Sequence, residues 1–72
     1  MKTVPFRIFD VVALLKDFPE RKLVKGQVGT IVEQLDENVF EVEFINKKGE
    51  TLSLETLKDS DLFLLHFEFE KI

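Results

Sequence analysis

The stretch Lys25-Gly26-Gln27-Val28-Gly29-Thr30-Ile31-Val32-Glu33 constrains the fold more than any other. Two glycines three apart stand directly before a β-branched run. The backbone can therefore turn sharply at Gly26 and come close to another backbone at Gly29 as a strand begins. A small barrel opens its second strand in this way. One strand and a long loop are expected before it, and short strands separated by turns after it.

Met1 to Phe9 reads as a lead-in broken by Pro5, which lacks a backbone donor and suits the start or edge of a strand. Asp10 to Lys16 is a short apolar run. Val11-Val12 favours a buried strand there, although Ala13 and Leu14 also permit a helical turn. Asp17 to Lys25 is a polar loop with Pro19 near its start, in which Leu23 or Val24 can fold back onto the core. Gln27 to Leu35 is the second strand, and Asp36-Glu37-Asn38 supplies turn-forming side chains. Val39 to Ile45 alternates cleanly, with Phe40, Val42 and Phe44 on one face and Glu41 and Glu43 on the other, as a half-buried antiparallel strand requires.

Asn46-Lys47-Lys48-Gly49 is a second turn, with Gly49 placed for positive φ. It leads into Glu50 to Leu57, where Leu52 and Leu54 alternate with Thr51, Ser53 and Glu55. Lys58 to Asp61 is a tight polar turn with room for one 3₁₀ turn, and Leu62 to His66 closes the sheet. The expected fold is all-β, a small SH3-like five-stranded antiparallel barrel. It forms a single domain over 1–72, with a core of about 9–66 and terminal extensions. In the tail, Phe67 and Phe69 alternate with Glu68 and Glu70. They either pack on Pro5, Phe6 and Phe9 or form an edge strand that pairs with another chain, so a monomer and a homodimer through the terminal strand are both open.

A chain of 72 residues without cysteine has neither disulfides nor thiolate metal sites to reinforce it, so the apolar core must suffice. A reducing cytosol fits that composition. Eight Phe with no Trp and no Tyr point to aromatics spent on packing, because Phe needs no hydrogen-bond partner when buried. The formal net charge of -4 disfavours nucleic acid and anionic membranes as partners. No apolar run reaches the roughly 18 residues of a membrane span, and Met1 to Phe9 lacks the pattern of a secretory signal. A cytoplasmic protein is expected.

With Lys25-Gly26-Gln27-Val28-Gly29-Thr30-Ile31-Val32 preceded by Asp10-Val11-Val12-Ala13-Leu14-Leu15-Lys16 and followed by Phe40-Glu41-Val42-Glu43-Phe44, Leu57 and Asp61-Leu62, the chain resembles Domain of Unknown Function 4926. This is a family of small bacterial proteins, and the likeness runs from about Phe9 to His66. More distantly, the glycine-led strand is similar to that of KOW-type and other SH3-like barrels, some of which bind RNA or ribosomal proteins while others dock on larger complexes. The resemblance implies an antitoxin-like or accessory role beside a partner protein.

Catalysis finds little material. His66 is the single histidine, flanked by Leu65 and Phe67, and reads as a structural or rim residue. Ser53 and Ser60 lie in no nucleophile elbow. Asp59 and Asp61, with Glu55 near, lack the calcium-loop pattern, and an Asp-Ser-Asp turn serves to separate two strands. The Gly26 and Gly29 pair lacks the Lys-Ser/Thr ending of a phosphate loop. Gly26, Gly29 and Gly49 are thus structural, and no metal and no cofactor is expected. Without Tyr or Trp, the grooves that read proline-rich peptides or methylated Lys lose their usual equipment.

Two binding modes remain. In the first, a non-catalytic protein-binding module docks on a basic protein through an acidic sheet face, with Glu41, Glu43, Glu68 and Glu70 beside Phe67 and Phe69, and with Glu33 and Glu55 adding to the charge. In the alternative, a KOW-like barrel binds nucleic acid through its first loop. Residues 16 to 25 hold four basic side chains (Lys16, Arg21, Lys22, Lys25) against two acidic ones, and Lys47 and Lys48 follow in the hairpin turn.

Overall fold

A computed structural model describes residues 6–65. The chain forms β1 (Val11–Leu14), β2 (Val28–Asp36), β3 (Val39–Ile45), β4 (Thr51–Lys58) and β5 (Leu62–Leu65). Single 3₁₀ turns occupy Pro19–Arg21 and Asp59–Asp61. The strands make one antiparallel sheet in the order β4-β3-β2-β1-β5. The chain is therefore all-β, and Val11–Leu14 is a strand rather than a helical turn. Pairing on both sides, with β2 and β5, settles that choice, because a four-residue apolar run gains two ladders as a strand and one turn as a helix.

All five strands feed one core. Val12 and Leu14 from β1, Ile31 from β2, Phe40, Val42 and Phe44 from β3, Leu57 from β4 and Leu62 from β5 are buried together. Full burial of a side chain of the size of Ile31 or Phe44 stabilises by about 1.5–3 kcal/mol. Among the described residues no long helix covers this side of the sheet, so the sheet curls around its own side chains. Phe6 and Leu23 complete the core from outside the strands, and Phe6 meets Phe40 edge to face at 5.5 Å. Leu23, not the exposed Val24, turns the first loop inward.

The curl depends on β2. Its first residues pair with β1 through Thr30↔Val11 and Gly29↔Val12, and from Thr30 onward it pairs with β3. Where the β1 pairing ends, the register with β3 shifts between Ile31 and Glu33, leaving Val32 as an extra residue. A second shift leaves Leu35 extra. Each bulge bends the strand and increases its twist, so β2 can serve two differently oriented halves of the sheet.

The two glycines act differently. Gly26 has φ +88° and its N–H donates to the Leu14 carbonyl at 2.8 Å, a left-handed turn that a residue with a Cβ enters only under strain. Gly29 is buried, and a Cβ there would lie 2.8 Å from Phe44 Cε1, 2.8 Å from Val42 Cγ1 and 2.9 Å from the Glu43 carbonyl oxygen. The β3–β4 turn is held by Asn46, whose side-chain oxygen accepts from the N–H groups of Lys48 and Glu50.

Two expectations need correction. Not all the Phe is spent on packing: Phe9 and Phe63 are exposed, at 76% and 56%. On β4, Leu52 and Leu54 face solvent while Ser53 and Glu55 share the inner side with Phe44 and Val42, their partners across the ladder. Leu57 anchors the strand opposite Phe40, and counting back from it by twos places Glu55 and Ser53 inward. The alternation there was visible, but its phase is set by the far end.

Candidate functional site

The outer face of β2, β3 and β4 carries the acidic residues. Because Val32 bulges, Glu33 stands directly opposite Glu41 on that face, and Glu43 follows two residues along β3. With strict alternation Glu33 would have followed Ile31 into the core side. Threonines on β4 fix the carboxylates: the Thr56 hydroxyl donates to Glu41 Oε1 at 3.1 Å, and the Thr51 hydroxyl to Glu43 Oε2 at 2.6 Å. No cation lies between Glu33 and Glu41 among the described ion pairs. Like charges directly opposite on a sheet destabilise it.

Glu55 does not join this face. Its carboxylate lies on the inner side, 3.6 Å from the Arg21 guanidinium. Arg21 also donates from Nη1 to the Thr56 carbonyl at 3.1 Å and lies over the Phe18 ring, 5.3 Å from its centroid. The first loop is thereby fastened along the edge of β4 that no other described strand pairs with, an edge that a charged side chain protects against pairing with another chain.

Two of the basic residues of the first loop, Lys16 and Arg21, are each paired with a carboxylate of the chain. Lys16 pairs with Asp61 at 3.1 Å and, like Arg21, lies over the Phe18 ring, 5.7 Å from its centre. The Asp61 carboxylate is buried and also accepts from the Lys58 N–H at 3.2 Å, so it ties the 3₁₀ turn to the loop. Lys22 closes the turn Pro19–Arg21 with φ 59°, and the Lys25 N–H donates to Asp17 Oδ1 at 2.7 Å. Lys47 and Lys48 project from the β3–β4 turn, exposed.

A cleft of about 250 Å³ separates the loop from β4, lined by Arg21, Lys22, Leu23, Gln27, Leu52 and Ser53. The Ser53 hydroxyl is buried without a hydrogen-bond partner among the described residues. Among the described residues no three His, Cys, Asp or Glu side chains are grouped to hold a metal ion. Asp61 and Glu55 each already face a cation. His66, Phe67, Glu68, Phe69 and Glu70 lie outside the described residues.

Sequence reasoning missed a set of exposed apolar residues on the strands: Val28, Ile45, Leu52, Leu54 and Phe63. The signal was present at Val28 and Ile45, each of which falls on the outward phase of its strand by counting in twos from Gly29 or Phe44.

No curated protein and no solved structure matches the chain at a significant level. One family model does match, over residues 8–64, from the turn before β1 to Leu64 within β5. The chain belongs to the family described as domain of unknown function DUF4926.

Proposed function

We propose that this chain is a non-catalytic protein-binding module, an SH3-like small barrel of a bacterial cytoplasm that acts as an antitoxin-like or accessory subunit on a basic partner protein. The Glu33–Glu41 pair, with Glu43 beside it, carries the reading. Two carboxylates held opposite one another repel in the free protein, and a Lys or Arg from a partner relieves that repulsion on docking. The charge also raises the encounter rate with a basic surface. Nucleic acid ranks second because Lys16 and Arg21, half of the loop's four cations, are already engaged with Asp61 and Glu55.

The test is affinity capture from native lysate with the full chain and with a Glu41→Lys/Glu43→Lys variant, each checked for an intact amide spectrum. The expected result is one stoichiometric protein retained by the parent and lost by the variant. Equal retention by both overturns the acidic-face reading. Recovery of nucleic acid without a stoichiometric protein overturns the protein-binding reading itself.

A further inference from the structure

The exposed apolar residues form a row. Ala13 is flanked by Phe63 on β5 and Val28 on β2, its register partners on either side. Thr30↔Glu43 is the last pair of the β2–β3 ladder, and the same antiparallel count carried two residues further sets Val28 toward Ile45. Ile45 pairs with Thr51 on β4, where the extra residue of the register shift is Leu52. The row Phe63–Ala13–Val28–Ile45–Leu52 therefore crosses all five strands. Four inter-strand spacings of about 4.8 Å make it roughly 19 Å measured along the curved sheet. Phe63, Val28, Ile45 and Leu52 are each 50–57% exposed.

The row has an acidic border on one side, while Lys47 and Lys48 of the β3–β4 turn lie beyond Ile45 on the other. Glu43 lies two residues from Ile45 on β3, and Glu41 and Glu33 lie beyond it. Among the outward residues of the five strands Lys58 is the one cation, against Glu33, Asp36, Glu41 and Glu43. The face thus asks for a partner that is apolar along a line and basic along one flank.

A sheet face offers side chains and no free backbone groups, so a segment docked there must satisfy its own N–H and C=O groups. A helix does so, and one of about 14 residues spans roughly 21 Å at 1.5 Å per residue. We infer that the outer face of the sheet binds an amphipathic helix of a partner protein whose apolar stripe lies across the strands on Phe63, Val28 and Ile45, with Lys or Arg on the flank facing Glu43, Glu41 and Glu33. This rests on the protein-binding reading and gives it a surface and a ligand chemistry.

The probe is a synthetic helix-forming peptide of about 14 residues with a Leu stripe and Lys along one flank, and a second peptide with Glu in place of Lys. Each is titrated into the isotope-labelled full chain while amide shifts are followed. The expected shifts centre on Ala13, Val28, Ile45 and Phe63. Phe63→Ser/Ile45→Ser and Glu41→Gln/Glu43→Gln each weaken binding by about tenfold or more, as anchors do. Glu20→Gln/Glu37→Gln, which removes negative charge away from the row, changes it less than about twofold. Phe63 and Ile45 are half exposed, so these variants keep the core, and their amide spectra verify it.

Equal binding of the Glu-flanked peptide, shifts centred on the first loop or the β4 edge, or no binding overturns the inference. So does movement of the same amides with protein concentration alone, which would assign the face to a second copy. A partner captured by the full chain but cross-linked elsewhere rejects this surface and leaves the protein-binding reading standing.

Discussion

Replacing Gly29 by Ala tests the packing at the centre of the fold. The added methyl would meet three neighbours inside van der Waals contact: Phe44 Cε1 and Val42 Cγ1 at 2.8 Å and the Glu43 carbonyl oxygen at 2.9 Å. The two side chains are themselves fully buried and have nowhere to retreat, and the carbonyl belongs to the β3 backbone. Overpacking of this kind costs about 1–3 kcal/mol. Gly29 is not among the positive-φ residues, so Ala adopts its backbone without strain and lowers the entropy of the unfolded chain, which returns about 0.4–1 kcal/mol. The net loss is about 1–2 kcal/mol, and for a domain of this size that lowers Tm by roughly 5–15 °C. Calorimetry on the parent and Gly29→Ala measures it.

A second arm separates crowding from other causes. Val42→Ala removes the Cγ1 atom, so the cost of Gly29→Ala should shrink by about 0.5–1 kcal/mol in that background. A Tm that is unchanged or raised by Gly29→Ala, or strict additivity in the double variant, refutes the claim that close approach requires glycine here.

Glu33→Thr should stabilise the free protein by about 0.2–1 kcal/mol in low salt, and the gain should fade as salt is added, because it removes one of two like charges facing each other; denaturant melts at two salt concentrations check it. Arg21→Met removes the guanidinium that lies over Phe18, pairs with Glu55 and donates to the Thr56 carbonyl, at a cost of about 1 kcal/mol and with faster amide exchange through residues 17–25 than elsewhere. Deleting Val32 should lower Tm by more than Val32→Ala does, since the deletion straightens β2 and strains the curl while the substitution loses only a half-buried side chain; equal losses would show that the bulge does not shape the sheet.

The alternation of β3 was legible because one period-2 stretch carries its own phase: Phe40, Val42 and Phe44 can only face one way if they are to be buried at all. The Gly26 and Gly29 spacing was legible for a similar reason, since both requirements are local, a left-handed turn and a small residue at a crossing. β4 was not. Its apolar and polar residues alternate as well, but Leu52 and Leu54 lie on one phase and Leu57 on the other. Nothing local says which phase wins. The answer comes from Phe40 and Phe44 across the ladder, which take Leu57 and Ser53 as partners.

The acidic face was legible only in part for a related reason. Glu41 and Glu43 follow from β3 alone, whereas Glu33 reaches them through a bulge and Glu55 leaves them through the phase of β4. A bulge is set by how a strand must bend to serve two neighbours, and that demand arises from β1 and β3 together rather than from the residues of β2. The same bend that lets five short strands enclose one core therefore also decides the surface, by carrying Glu33 out of the interior and setting it against Glu41. Fold and candidate site share one cause at Val32, so a change that flattens β2 should weaken partner binding even though Val32 itself carries no charge.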